Sequence, residues 1–362
     1  MARIRLQDIA HSYVGDTGNL DDFALKKLDL TWDDGGAYAL LGPSGCGKST
    51  LLNIISGLLY PTRGKVYFDD RDVTTLPTEQ RNTAQVFQFP VVYDTMTVFD
   101  NLAFPLKNRG VEGKEIRRRV TELAEMLDLQ NDLKRKAQGL TADVKQKISL
   151  GRGLIRKDVN VILFDEPLTV IDPQLKWELR SQLKKLHKQF DFTMIYVTHD
   201  QTEALTFADE VVVMYEGEVV QIGTPEDLFN RPNHTFVGYF IGSPGMNILP
   251  CTVRGDRAIV GKHEIPLGRM YTKSSGNSKL ELGVRPEFLT LSTSSDQGLP
   301  VSIGRIDDIG HLRVAQVSLD GLPLSVVVGE NDNISGQSGH IVFDTPHVNI
   351  YADGHLQRGE AV

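Results

Sequence analysis

The run Gly42-Pro43-Ser44-Gly45-Cys46-Gly47-Lys48-Ser49-Thr50 sets three glycines, a lysine and three hydroxyls in the pattern G-x-x-x-x-G-K-[ST]. Glycines let a chain curl so that successive N–H groups point at one centre, and such a nest holds phosphate oxygens. Lys48 adds a point charge for a β- or γ-phosphate, and the Ser49 hydroxyl is a ligand for magnesium. The setting strengthens the reading. Residues 38–41 are an apolar, strand-like run before the loop, and Leu51, Leu52, Ile54 and Ile55 give a helical pattern after it.

Phosphoryl chemistry is governed by positioned charge rather than by an elaborate nucleophile. Val161-Ile162-Leu163-Phe164 reads as a buried strand and ends in Asp165-Glu166. Asp165 is placed there to hold magnesium through water, and Glu166 to polarise an attacking water. Gln88, in Val86-Phe87-Gln88, offers a neutral side chain that reaches both magnesium and water. His199, in Tyr196-Val197-Thr198-His199-Asp200, leaves its strand where it can hydrogen-bond a γ-phosphate. A carboxylate pair at a strand end can cap a helix instead, and a lone histidine is commonly structural. Their order downstream of a phosphate loop favours chemistry.

These groups need a scaffold. At 362 residues the chain has room for two domains, each with its own core. A net charge of −8 argues against a general nucleic-acid binder, though it leaves room for a local basic patch. No apolar run approaches the roughly 20 residues that span a bilayer, and Met1-Ala2-Arg3-Ile4-Arg5 does not read as a signal peptide. Any membrane role is therefore expected to pass through a partner. Two cysteines make no disulfide framework, and a bridge at Cys46 would disrupt the loop, so a reducing cytoplasm is expected.

Along the chain, Ile4 and Leu6 alternate with Arg3, Arg5 and Gln7, as in a half-buried strand. From residue 38 the pattern becomes strand–loop–helix units of an α/β core. Asp172-Pro173 starts a helix with Leu175, Leu179, Leu183 and Leu186 on one face. Residues 211–214 and 219–222 flank Glu216-Gly217, a hairpin signal. A charge-rich helical insert is expected at about 98–157. Beyond residue 244, short β-type runs at 279–284, 301–306, 314–319, 324–328, 340–343 and 348–351 predict a small all-β domain, a barrel. The expected domains are thus 1–240 and 245–362.

Together these motifs resemble the ATP-binding subunits of ABC transporters, over the whole chain. The resemblance implies a RecA-like P-loop core with an antiparallel β subdomain and a helical insert, then an OB-like β domain for regulation and dimerisation. It assigns Tyr13 to adenine stacking, residues 42–50 to Walker A and Gln88 to the Q-loop. Asp165 becomes the Walker B aspartate, Glu166 the catalytic glutamate, Asp172 the D-loop aspartate and His199 the switch histidine. ATP and Mg2+ are the implied cofactors. Two transmembrane permease subunits, a second ATPase and, indirectly, an external solute-binding protein are the implied partners, at the cytoplasmic face of the inner membrane. Gly283-Val284-Arg285-Pro286-Glu287 is similar to a motif in the regulatory domain of maltose-type carbohydrate importers, and a purely dimerising role suits that domain equally. The segment Phe89-Pro90-Val91-Val92-Tyr93-Asp94-Thr95-Met96-Thr97 most resembles an ATPase subunit of bacterial glycerol importers. Other sugars, sugar alcohols and glycerol phosphate stay open.

One departure from the family pattern bears on assembly. Leu140-Thr141-Ala142-Asp143-Val144 stands where the family has LSGGQ, which closes over the ATP held by the opposite subunit. Thr141 keeps the hydroxyl. Ala142 and Asp143 replace glycines and are expected to restrict the backbone. Asp143 also brings a carboxylate towards a triphosphate: two unit charges about 4–6 Å apart repel by roughly 1–4 kcal/mol, enough to slow closure about tenfold or more. A homodimer would carry that defect at both sites, so a heterodimer with an unlike ATPase is expected. Three rivals are a non-transport ABC ATPase, which leaves the importer-type tail unexplained, another P-loop enzyme such as a small-molecule kinase or GTPase, which leaves the ordered Gln88, Asp165-Glu166 and His199 unexplained, and an ATP-binding pseudo-ATPase, which retention of Lys48, Glu166 and His199 opposes.

Overall fold

The apolar runs that flank the phosphate loop become neighbouring strands, and their register decides where the site lies. The computed structural model describes residues 2–361 except 157, 191, 272–277, 294–296, 309, 311, 330–331, 333 and 335, and the side chains of 190 and 361 are also outside it. The chain divides into two units, Met1–Pro225 and Glu226–Val362. The first contains β1 (Ile4–His11), β2 (Leu25–Trp32), β3 (Ala37–Leu41), α1 (Lys48–Ser56), β4 (Arg63–Phe68), β5 (Arg71–Asp72), α2 (Thr78–Arg81) and β6 (Thr83–Val86). It continues with α3 (Val98–Lys107), α4 (Gly113–Met126), α5 (Ala142–Leu154), β7 (Val161–Asp165), α6 (Pro173–Phe190), β8 (Met194–Thr198), α7 (Gln201–Phe207), β9 (Glu210–Tyr215) and β10 (Glu218–Gly223).

One sheet runs β10-β9-β3-β8-β7-β6 and the other β2-β1-β4-β5. In the first, β6, β7, β8, β3 and β9 are parallel, and only β10 is antiparallel. Strands β3 and β8 are buried along their whole length, which is why they read as continuous apolar runs rather than alternations. By contrast β2 alternates buried leucines with polar residues, as an edge strand with one wet face does. Helix α1 sets Leu51, Leu52, Ile54 and Ile55 into a core that includes residues of both sheets. The β9–β10 hairpin turns through Glu216 and Gly217, both at positive φ, as its dipeptide signalled.

Register aligns the carboxyl ends of the parallel strands. Leu41 pairs with Thr198, Asp165 with Val197, and Phe164 with Val86. Residues 42, 87, 166 and 199 therefore leave the sheet along one edge, where open α/β sheets hold their ligands. Helices α3, α4 and α5 fall within the expected insert.

The second unit holds α8 (whose helix, Pro225–Asn230, begins at its boundary), α9 (Thr235–Phe240), β11 (Asn247–Pro250), β12 (Thr252–Val260), β13 (His263–Tyr271) and β14 (Leu280–Val284). It is completed by β15 (Leu289–Ser292), β16 (Leu299–Asp308), β17 (Arg313–Leu319), β18 (Leu322–Val328), β19 (Ser338–Phe343), β20 (Asn349–Ala352), β21 (His355–Leu356) and β22 (Glu360–Ala361). They form sheets ordered β11-β14-β20-β21, β12-β13-β22 and β15-β19-β16-β17-β18 around one apolar core. The division falls earlier than the composition shift at 240–245 suggested. Its cause is Arg285: this buried guanidinium donates to the carbonyls of Leu228, Phe229, Gly238 and Ile241. The Tyr351 hydroxyl donates to Pro232 as well. Those bonds fasten α8 and α9 to the β-rich unit, although their composition resembles what precedes them.

A second buried guanidinium anchors the phosphate-loop helix. Arg81, with 0% exposure, donates to the carbonyls of Ile54 (2.6 Å) and Ile55 (3.1 Å) near the C-terminus of α1, and to Thr74 (2.7 Å) and Leu76 (2.9 Å). Charged donors are worth about 1.5–3 kcal/mol each when removal leaves buried acceptors unpaired. Arg81→Met is expected to destabilise the first unit by about 3 kcal/mol or more, and Arg81→Lys to recover only part because an ammonium lacks the fork. Urea unfolding of the full chain, followed by Trp32 fluorescence, measures both.

Candidate functional site

Backbone shape comes first. Gly47 has φ +98° and precedes α1 without a side-chain cap, so the first N–H groups of that helix carry no side-chain partner. A Cβ on Gly47 would lie 2.6 Å from the Ala24 carbonyl oxygen, and one on Gly42 would collide with the Met214 carbonyl. Only glycine fits either place. Pro43, Ser44, Gly45 and Cys46 complete the curl between β3 and α1.

Lys48 is buried at 4% exposure, and its ammonium donates to the carbonyls of Gly42 (2.9 Å) and Pro43 (2.8 Å), beside the Cys46 sulfur at 3.7 Å. These are neutral acceptors, and the opposite charge that Lys48 acts on is the Asp165 carboxylate across the loop. Burial pushes the Cys46 thiol above its ordinary range, against the opposing pull of the Lys48 charge. Thr50 faces Tyr13, whose hydroxyl lies 3.0 Å from the Thr50 Oγ1. The Tyr13 ring is 65% exposed, and His11 packs edge-on against it at 4.7 Å. An open aromatic face beside a phosphate loop suits a stacked base.

Across the loop, the Ser49 hydroxyl donates to Asp165 Oδ1 at 2.9 Å. Burial raises the Asp165 carboxyl above its usual range, the Ser49 bond works against that, and the neighbouring Glu166 raises it further. A hydroxyl and a carboxylate whose charge is poorly solvated form a hard-oxygen donor set, which fits magnesium shared with phosphates. Ser49, Gln88 and Asp165 would hold it. Among the described residues no cluster of three or more His, Cys, Asp or Glu could bind a metal unaided, and magnesium bound beside phosphates needs none.

Glu166 adopts φ +46°, in a region that costs a non-glycine residue about 1–3 kcal/mol. Its N–H donates to the Val197 carbonyl at 3.0 Å, and its Oε2 meets His199 Nδ1 at 3.0 Å and the Thr169 hydroxyl at 3.3 Å. In this backbone conformation the carboxylate lies against the histidine. His199 follows Thr198, whose hydroxyl donates to the buried Glu203 carboxylate at 2.8 Å. Gln88 is half-buried just beyond β6. Asp172 is exposed at the start of α6, where Oδ1 accepts from the Gln174 N–H.

The segment 140–144 differs from its expectation in one respect. Helix α5 begins at Ala142, with Thr141 as its N-terminal neighbour, and Asp143 stands in its first turn. Neither Ala142 nor Asp143 has a positive φ. Helical backbone needs no glycine there, so the expected restriction does not arise. Leu140 and Val144 are half-buried, whereas Thr141 and Ala142 are exposed.

Residues 25–169 match the ABC transporter family, and residues 242–289 match the MalK OB fold domain family. The sn-glycerol-3-phosphate import ATP-binding protein UgpC of Yersinia pestis is 42% identical over 312 residues, 86% of this chain and 85% of the relative. The protein of the same name from Escherichia coli K12 is 39% identical over 313 residues, 86% of each chain. The chain is an ATP-binding subunit of an ABC importer.

Solved structures agree with that membership. An ATP-binding cassette in a dimeric, post-hydrolysis state with ADP and Pi superposes with a TM-score of 0.54 at 28% identity, covering 61% of this chain and 98% of the other. The cbiO1 protein of Clostridium perfringens, part of the ABC transporter complex cbiONQ, superposes at 0.57 with 25% identity, covering 63% and 90%. The importer subunit is an ATPase of P-loop architecture with an OB-type β domain, as its motifs implied. Among the described residues, no helix is long and apolar enough to cross a membrane.

Two contributors escaped the sequence reading. Thr169 reaches Glu166 from the loop after β7, and Gln146 reaches backbone on both sides of the site. Gln146 carried a signal: it shares a helical face with Leu150 and Leu154, where a polar side chain is out of place.

A carboxyl whose pKa is raised by folding destabilises the folded state at any pH where it must ionise. Asp165→Asn keeps an acceptor for Ser49 and removes the charge. At pH 7, without nucleotide or magnesium, the variant is expected to melt higher than the parent. That gain should shrink as pH falls through the folded pKa and vanish below the unfolded value of about 4. Thermal unfolding across pH 3.5–8 (about that range) checks the sign.

Proposed function

We propose that this importer ATPase powers uptake of a phosphorylated glycerol-type solute through separate membrane permease subunits, with Glu166 as the group that activates water. The convergence of residues 42–50, 88, 165–166 and 199 on one sheet edge carries the catalytic part. The solute class rests on the relatives' names, which specify sn-glycerol-3-phosphate import, and so replaces unmodified glycerol as the favoured candidate.

Lys48 and the uncapped N-terminus of α1 would bind the β- and γ-phosphates, and Tyr13 would stack on the base. Magnesium, when bound, would offset phosphate charge and hold its oxygens in place. Glu166 would accept a proton from water while His199, already against Oε2, keeps that carboxylate aimed and offers its free ring nitrogen to the γ-phosphate. Beside Gln88, Phe87, Phe89, Val91 and Tyr93 are exposed apolar side chains. A cleft of about 340 Å3 opens there, with Phe87, Val91, Phe104 and Arg152 among its walls. Both suit docking of a permease segment, so that movement at Gln88 reaches the membrane subunits. This arrangement would put the chain at the cytoplasmic face of the inner membrane, with a solute-binding protein acting outside.

We read the ATP-binding subunits as a pair of copies. The fold relative with ADP and Pi is dimeric, and the helical backbone at Ala142 and Asp143 removes the steric ground for an unlike partner.

The test is ATP hydrolysis and solute uptake by the complex purified from its host. Glu166→Gln is expected to lower kcat by about 100-fold or more while ATP still binds, and sn-glycerol-3-phosphate is expected to stimulate the parent. Undiminished hydrolysis by Glu166→Gln would overturn the catalytic reading. Stimulation by glycerol alone would overturn the solute. Co-purification of an unlike ATPase would overturn the pairing.

A further inference from the structure

Gln146 lies on the buried face of α5 and is itself 0% exposed. Its Nε2 donates to the Pro167 carbonyl at 2.7 Å and to the Phe87 carbonyl at 3.2 Å. Two acceptors fix the amide's orientation, because only its NH2 end serves both. The Oε1 is then left buried without a partner among the described residues. An orphaned acceptor costs stability, so an apolar side chain of the same size would be the cheaper filler for this space.

The carbonyls that Gln146 holds belong to the residue before Gln88 and the residue after Glu166. One side chain thus ties the start of α5 to both. Other α5 residues hold the loop beyond Gln88: Lys145 pairs with Asp94 at 2.8 Å, and Arg152 donates to the Val91 carbonyl at 2.6 Å and stacks over Tyr93. Gln146 alone of these three also bonds the Glu166 side. From this geometry we infer that Gln146 is a positioning residue: it sets the spacing between Gln88 and Glu166 and carries displacement of α5 to both. The inference rests on the reading of Gln88 and Glu166 as working groups. It assigns Gln146 no contact with nucleotide.

A positioning role separates turnover from binding, since Lys48 and the loop around it do not touch Gln146. Gln146→Met keeps the volume and loses both bonds. Gln146→Asn keeps an amide one carbon short and serves as the second variant if the first does not fold. Ile148→Val trims a buried neighbour on the same helix and controls for packing. Each is assayed in the full-length chain within its purified complex, beside Glu166→Gln, for kcat, KM for ATP and melting temperature.

Both Gln146 variants are expected to lose about tenfold or more in kcat, with KM within about twofold and melting within about 4 °C of the parent. Ile148→Val is expected to lower melting and keep kcat. A Gln146→Met complex with parental kcat overturns the inference, as does a kcat loss that tracks melting as closely in Ile148→Val. A rise in KM at unchanged kcat overturns it too. If Glu166→Gln hydrolyses ATP normally, the reading of the site fails first, and that result is distinguishable from failure at Gln146 alone.

Discussion

A buried ammonium surrounded by neutral acceptors organises the first unit. Lys48 meets two carbonyls and a thiol at the N-terminal end of α1, where the helix dipole is already positive. Its charge is therefore at the less favourable end of the helix, and on the proposed reading a phosphate at residues 42–50 would relieve that imbalance. The opposite end is matched: Arg81 sets a guanidinium on the last carbonyls, where the dipole is negative. Helix α1 is thus fixed at its C-terminus by the protein, and in the proposed site its N-terminus would be completed by the ligand. Binding and folding are linked through the same element, and nucleotide is expected to stabilise this unit in proportion to its affinity.

The parallel register turns that helix end into a site. Because β6, β7, β8 and β3 finish level, their next residues meet without long loops. Short reach leaves little slack, and Glu166 shows the consequence. Its positive φ is retained because the N–H bond to Val197 and the contact with His199 outweigh the strain. A glycine there would relax the backbone but carry no carboxylate. In its proposed role function would fix the Glu166 side chain, while the sheet edge fixes the backbone that must bear it.

How legible the protein was from residue order depended on whether each partner lay near in sequence. The phosphate loop, the apolar strands, the hairpin at Glu216-Gly217 and the insert helices are local patterns, and all were readable. Strands β12 and β13 were not anticipated. Gly255, Arg254, Asp256 and Arg257 break the alternation of β12, with a register shift between Gly255 and Arg257, and Pro266 and Gly268 interrupt β13. The earlier unit boundary depends on Arg285 bonding backbone some fifty residues away. The reach of Gln146 to Phe87 and Pro167 is equally non-local, and only its polar type on an apolar face hinted at it. Spacing reveals what a segment is. It does not reveal what a long side chain finds when the chain closes.

The segment 140–144 shows the same limit in energetic terms. Counting charge, Asp143 opposes a triphosphate by roughly 1–4 kcal/mol, the lower figure belonging to bulk water and the upper to a pair near a protein surface. The fold adds two terms that the count lacked. Asp143 occupies the first turn of α5, where an acid is favoured by about 0.3–1 kcal/mol. Thr141 and Ala142 beside it are exposed while Asp143 itself is half-buried, which places its carboxylate between those two limits. The repulsion then lies within roughly 1–4 kcal/mol, and the helical position offsets part of it without distorting the backbone. At the lower limit the penalty slows closure by less than about tenfold. On the proposed pairing, two copies of this chain would face each other across nucleotide with a slowed rather than a dead site, so Asp143 alone does not require an unlike ATPase.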